Sequence, residues 1–263
     1  MELILESLRV LGLQWDEGPD VGGPHAPYEQ SRRAPLYEAA FARLGAAGWV
    51  YPCFCSRRDI ATAASAPQEP GDEVRYPGTC RALDPAEAEE RVASGRPHAW
   101  RFRVTDAEAP VFEDRVRGAW RGPPPGDFVV RRADGTAAYQ LAVVVDDVAM
   151  RITEVVRGDD LLASTARQLL LYRALGVEAP SFGHVPLLLG PDGVRLSKRH
   201  EGTSLRELRG AGFTAERVVG FLAMLLGLDA TNGETSPSAL VRGFSLESLR
   251  AAPEGIKIDP RSL

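Results

Sequence analysis

"ITEVVRGDDLLASTARQLLLYRALG", residues 152–176, followed by "SFGHVPLLLG", residues 181–190, decides the fold. The stretch opens on β-branched residues with a polar edge. It then passes into a helical pattern, with Ser164 as the expected cap and Gly176 as the stop. A second apolar strand follows. Strand, helix and strand in so short a span is the unit from which parallel α/β sheets are built. Just upstream, "AAYQLAVVVDD", residues 137–147, ends in a continuous apolar run bounded by acids. It is expected to be another strand, buried on both faces of that sheet.

Toward the N-terminus, Leu3, Ile4, Leu8, Leu11 and Leu13 lie near helical spacing over residues 1–14, a helix that starts at Met1 with no cap before it. A Gly/Pro loop, residues 16–27, precedes a second helix from about Pro35 to Ala47. "WVYPCFC", residues 49–55, reads as a short strand entering a tight turn. "SRRDIATAAS", residues 56–65, reads as a helix with a Ser56/Asp59 capping pair, followed by a polar loop to residue 75. Between Pro97 and Val130 short alternating segments predict a small β-rich insert. Residues 203–263 read as helices throughout.

The bulk numbers narrow the function classes. A chain of 263 residues with 44% hydrophobic and 25% charged residues is long enough for a large buried core. No apolar run reaches the ~20 residues of a membrane helix, and no signal peptide is expected at the N-terminus. A net charge of −5 argues against a general nucleic-acid coat, yet leaves room for RNA at a local arginine-rich face. Three cysteines do not make a secreted disulfide scaffold, so the cytosol is the expected compartment.

Those cysteines carry the first chemical signal. Cys53-x-Cys55 and Tyr76-x3-Cys80 fall within one short window. Thiolates at short spacing on a turn suit a structural zinc, for which Tyr76 is the fourth donor by spacing. Three small thiols packed as hydrophobes are the alternative. Lysine carries the second signal, for Lys198 and Lys257 are the only two in the chain. Lys198 stands in a Gly- and Arg-rich loop after a strand, where an ammonium suits a moving phosphate better than a planar guanidinium does. A solvated basic turn is the plainer reading. Arg157, at the end of a strand, could clamp a carboxylate, and Tyr139 could add a hydroxyl. Alternatively Arg157 pairs with Asp159 or Asp160, and Tyr139 fills core. Asp146 and Asp147 invite a metal reading only weakly, because adjacent residues on a strand face opposite ways.

Taken together, these segments resemble the class I aminoacyl-tRNA synthetases of the glutamyl group. "RLSKR" (Arg195, Leu196, Ser197, Lys198, Arg199) looks like their Lys-Met-Ser-Lys-Ser-type loop, and "YQLAVVVDD", "VVRGDDLLASTARQ", "LYRALG" and "HVPLLLGPDGVRLSKR" follow in the family's order. "YPCFCSRRDI" with "RYPGTCR" is most similar to a shortened paralogue within the group, one that glutamylates queuosine in tRNA-Asp. The resemblance implies an α/β fold, a Rossmann-type parallel sheet with a zinc-bearing insert and a C-terminal helical subdomain. Its divisions would be 1–50 and 127–190 for the two halves of the catalytic domain, 51–126 for the insert, and 191–263 for the loop and a stem-contact-like subdomain. It implies that Tyr139 and Arg157 bind glutamate and that Lys198 is the catalytic, ATP-binding lysine. Cys53, Cys55, Tyr76 and Cys80 would hold one structural zinc. The substrates would be glutamate, ATP with Mg, and tRNA-Asp carrying queuosine, handled by a cytoplasmic monomer with no membrane contact.

Two departures accompany the resemblance. The loop's first lysine is Arg195. The family's His-Ile-Gly-His-type segment and first strand also have no match, so the sheet is expected to lack its first strand and the chain to be truncated and impaired. A fragment of a glutamyl-tRNA synthetase and a non-catalytic, zinc-stabilised tRNA-binding module are the competing expectations.

Overall fold

The computed structural model describes residues 2–56, 58–60, 76–104, 110–196, 204–228, 233–251, 253 and 255–259. The expected loop residues Ser197, Lys198 and Arg199 lie outside these, as do the polar loop to residue 75 and most of the helix expected over 56–65. The capping pair of that helix is described: Ser56 N–H donates to the Asp59 carboxylate at 2.7 Å, and Asp59 N–H donates to Ser56 Oγ at 3.1 Å.

Helix α1 (Glu2–Val10) buries no residue. Helix α2 (Ala34–Ala46) has proline in its first turn and buries Tyr37, Ala40 and Leu44. Strand β1 (Val50–Cys53) pairs antiparallel with β2 (Ala99–Phe102), Cys53 standing opposite Ala99, and β2 pairs antiparallel with β5 (Phe128–Arg131). Helix α3 (Pro85–Ala93) is capped by Asp84.

The second sheet has the order β4-β3-β7-β6. Its core is parallel: β6 (Glu154–Gly158) lies beside β7 (Ser181–Val185), with α5 (Leu162–Ala174) as the crossover, and β3 (Phe112–Asp114) runs parallel on the other side. Strand β4 (Gly118–Trp120) closes a hairpin on β3. The strand–helix–strand unit expected from residues 152–190 therefore stands. The span read as a single insert, 51–126, supplies strands to two different sheets, since β3 joins the parallel one. Short alternating segments specify strands but not their partners.

One expected strand is a helix. Residues Tyr139–Ala149 form α4, which buries Leu141, Ala142, Val144, Val145 and Asp146. A continuous apolar run serves a helix packed on two sides as well as a buried strand, and period alone does not separate them. Here α4 packs against α2 and α5, and Leu44, Val130, Val144 and Leu171 are fully buried in the core they share. Helix α5 begins two residues before the expected cap: its first residue is Leu162, after a 3₁₀ turn Asp159–Leu161, and no side chain caps it.

"FGHVPLLLG" is likewise two strands. Proline lacks a donor for the ladder, so β7 ends before Pro186, and β8 (Leu187–Leu189) pairs instead with β9 (Gly255–Lys257) near the C-terminus. The C-terminal region is mostly helical, with α6 (Leu205–Gly210), α7 (Ala215–Leu225), α8 (Pro237–Leu240) and a 3₁₀ turn Leu246–Ala251. Strand β9 departs from the all-helical expectation, three residues being too few to show a period. No helix of the described residues is long and apolar enough to cross a membrane.

Candidate active site

Arg157 sits near the C-terminal end of β6, where open parallel sheets place their ligand contacts. Its Nε donates to His184 Nε2 at 3.1 Å. Its Nη2 donates to Thr165 Oγ1 and Gln168 Oε1, each at 2.8 Å, while Nη1 takes part in none of these bonds. The chain of donors continues: Gln168 Nε2 donates to Gln140 Oε1 at 3.0 Å, and Gln140 Nε2 to Ser164 Oγ at 3.2 Å. The guanidinium is thereby tied to the first turn of α4, where Tyr139 is half-exposed. Burial lowers the pKa of Arg157, while the phenol of Tyr139 and the carboxylate of Asp147 oppose that shift.

The expected alternative for Arg157 is not what the structure shows. Asp159 pairs with Arg117 at 2.5 Å and Asp160 with Arg195 at 2.5 Å. Nor does Tyr139 fill core. Asp146 and Asp147 lie on a helix, and each has its own partners. Asp146 accepts from Arg33, Gln30 and Tyr37, and Asp147 accepts from the Tyr172 hydroxyl at 2.8 Å. Burial raises the pKa of Asp147, and both carboxylates are already engaged by side-chain donors.

Arg195 and Leu196 are the described part of the signature loop. Leu196 N–H donates to Leu188 O at 2.8 Å, which returns the chain along β8 after a turn at Gly193, φ 75°. The ion pair with Asp160 fixes this root beside the end of β6.

The thiols converge. The sulfurs of Cys53, Cys55 and Cys80 lie within 4.8 Å of one another, Cys55 and Cys80 at 3.5 Å. Tyr76 Oη stands 3.4 Å from Cys53 Sγ and 3.9 Å from Cys55 Sγ. A tetrahedral zinc with bonds of about 2.3 Å to sulfur sets its sulfurs about 3.8 Å apart, so these separations fit a four-donor cage. Surrounding donors favour negative charge there. Phe54 N–H donates to Cys80 Sγ at 3.3 Å, and Arg101 Nε to Cys53 Sγ at 3.3 Å. The Arg101 guanidinium also lies 3.9 Å over the Tyr76 ring. Burial opposes ionisation of Cys80, but its hydrogen bonds from Phe54, Tyr76 and Cys55 outweigh it and lower the pKa. Burial and the bond to Cys80 push Cys55 up to about 11.

Between the thiol cluster and the glutamine chain lies a cleft of about 590 Å³, lined among others by Tyr76, Arg101, Trp120, Tyr139, Gln140 and Arg167. Of the residues singled out in the sequence, Tyr76 and Tyr139 line this cleft.

Residues 1–238 match the family of class I tRNA synthetases (E and Q), catalytic domain. The chain belongs to this family. Glutamyl-Q tRNA(Asp) synthetase of Symbiobacterium thermophilum is 53% identical over 255 residues, covering 96% of this chain and 79% of that protein. Glutamate–tRNA ligase 1 of Halorhodospira halophila is 44% identical over 262 residues, and the chain spans 54% of its length. In structure, the chain is similar to the glutamate–tRNA synthetase of Elizabethkingia anophelis, with a TM-score of 0.83 and 28% identity over 98% of this chain and 58% of that one. By family this synthetase is an ATP-dependent ligase.

Sequence reasoning did not single out two buried acids that the structure places near these groups. Asp114 is fully buried; its Oδ1 accepts from the amides of Val116, Arg117 and His184, and its Oδ2 lies 2.5 Å from His184 Nδ1. Burial opposes the charge, yet the His184 side chain and these amides bring its pKa down to about 2. Asp127 accepts from Tyr51, Arg81 and the amide of Val104, joining the turn that carries Cys80 to β1 and β5. The sequence signal for each was a lone acid in a β-rich span, which specifies no partner.

Proposed function

We propose that this synthetase activates glutamate with ATP and transfers the glutamyl group to queuosine in the anticodon of tRNA-Asp. The observation that carries the reading is the Arg157 guanidinium, held by Nε and Nη2 and interacting with Tyr139, which lines the cleft. A fixed fork next to a hydroxyl suits an amino-acid substrate bearing a carboxylate. In the reaction, an α-carboxylate oxygen of glutamate attacks the α-phosphorus of ATP. The bond to the β,γ-phosphates breaks and pyrophosphate leaves; the acyl group of the mixed anhydride then passes to a hydroxyl of the modified base, forming an ester and releasing AMP and the hydroxyl proton. Lys198 offsets the charge that builds on the departing pyrophosphate, with Mg accompanying the nucleotide. Arg195, Leu196, Ser197 and Arg199 form the remainder of that loop.

Cys53, Cys55, Cys80 and Tyr76 would hold one zinc ion, whose role is to fix the fold between β1 and the turn Thr79–Ala82. The choice of acceptor rests on the likeness to glutamyl-Q tRNA(Asp) synthetases. The likeness to glutamate–tRNA ligases favours tRNA-Glu as a second reading.

The test is transfer of labelled glutamate to tRNA-Asp with queuosine, tRNA-Asp without it, and tRNA-Glu. Label on the first alone supports the proposal. Label on tRNA-Glu supports the second reading, and tRNA binding without glutamate-dependent pyrophosphate exchange would leave only a binding module.

A further inference from the structure

The feature the proposed chemistry leaves unexplained is the group behind Arg157. His184 lies in β7, the strand between β3 and β6, and is fully buried. In the sheet register it stands directly beside Arg157, so both side chains emerge on one face. Asp114 approaches from the other neighbouring strand.

The hydrogen-bond directions fix the protonation state of the ring. Arg157 Nε–H can only donate, so His184 Nε2, 3.1 Å away, must offer its lone pair. The Asp114 carboxylate accepts, so His184 Nδ1, 2.5 Å away, must carry the proton. Both ends demand the same neutral tautomer. Thr165 Oγ1, 3.2 Å from Nε2, accepts from Arg157 Nη2, and its own proton is within reach of Leu161 O at 3.4 Å. An imidazolium would instead set N–H against N–H.

This arrangement achieves something that a simpler one would not. A carboxylate placed directly on Nε would hold the guanidinium but would also neutralise it. A neutral imidazole satisfies the same donor and leaves the positive charge uncompensated at that point. Among the described residues Arg157 forms no ion pair, although Asp114 lies just beyond the ring and the Asp147 carboxylate acts on it at longer range.

We propose that His184, held as the Nδ1-protonated tautomer by Asp114, is a positioning residue that orients Arg157 for the substrate carboxylate while keeping its charge available. The role rests on the reading of Arg157 as the arginine that binds glutamate. It also separates the two polar ends of the ring by function: the Nε2 lone pair serves the substrate site, and the Nδ1 proton serves the sheet.

The test has two parts, both on the full chain. Long-range ¹H–¹⁵N spectra of the histidines, with the His184 signal identified by its loss in H184Q, read the tautomer without any folding question. A neutral, Nδ1-protonated ring is expected at pH 7, whereas an Nε2-protonated or doubly protonated ring overturns the proposal. Calorimetric titration with L-glutamate then compares H184Q, whose carboxamide oxygen can replace the Nε2 acceptor, with H184N, which reaches only Asp114. Binding by H184Q within about threefold of the parent is expected, against a loss of about tenfold or more in H184N, the scale of a hydrogen bond to a charged group. Binding of ATP should be unchanged in both. A folded H184N that binds glutamate as tightly as the parent sinks the positioning role alone. A parent that binds no L-glutamate sinks the substrate reading and this role with it.

Discussion

Arg33 Nε donates to Asp146 Oδ1 at 2.6 Å, and only 2% and 11% of the two side chains are exposed. The pair joins the entry of α2 to the middle of α4, and Tyr37 and Gln30 donate to the same carboxylate. Removing one member of a buried pair strands the other charge. Asp146→Ala should therefore destabilise the chain by about 3–5 kcal/mol in urea unfolding. The double change Arg33→Met with Asp146→Leu should recover much of that loss. A single substitution costing less than about 1 kcal/mol would show that the pair is solvated.

Asp114 makes part of the fold's stability dependent on pH. Its folded pKa, about 2, lies below the ordinary aspartate value. Its contribution is therefore fully present above the ordinary value and is lost as pH falls toward 2. The shift corresponds to about 2 kcal/mol. The stability gap between the parent and Asp114→Asn should be constant above pH 5 and shrink below pH 4. A gap that stays constant down to pH 2.5 would contradict the assignment.

Metal analysis of the purified chain should give one zinc per molecule. A chelator should lower Tm, and Cys55→Ser should abolish retention on a desalting column. Tyr76→Phe should weaken retention yet leave the three-thiol set able to bind. Zinc content equal in the parent and in Cys55→Ser would remove the cluster as its site.

Arg157→Lys replaces a planar fork by a single ammonium, which cannot bond His184, Thr165 and Gln168 together. A fall in kcat/KM for glutamate of about 100-fold or more is expected, with the KM for ATP nearly unchanged. Tyr139→Phe should cost about tenfold or less, since it removes one hydroxyl. Equal losses toward glutamate and ATP would place Arg157 outside the amino-acid site.

The parallel unit over residues 152–190 was legible because its local pattern and its global role agree. The convergence of Cys53, Cys55 and Cys80 was one of two readings of their spacing, and Tyr76 joined the set chiefly through the family resemblance, since more than twenty positions part it from Cys55. Helix α4 was not legible as a helix, because "LAVVV" has the same composition whether buried between helices or within a sheet. Asp114 and His184 meet across two strands from positions seventy residues apart, a relationship that register creates and no local pattern encodes. Arg157 was singled out, with pairing to Asp159 or Asp160 as the alternative to a carboxylate clamp. Side chains next to a strand end are close in sequence, yet the turn Asp159–Leu161 sends them to Arg117 and Arg195.

Pro186 divides one apolar run between two sheets, and the division sets a phase. Strand β7 carries His184 beside Arg157, and β8, which begins directly after the proline, leads by way of the Gly193 turn to Arg195. Side chains alternate along extended chain, so the parity of that joint determines which faces the two half-sites present. One residue inserted beside Pro186 would have to be absorbed between the two sheets, shifting either β8 against β9 or Arg195 against Asp160.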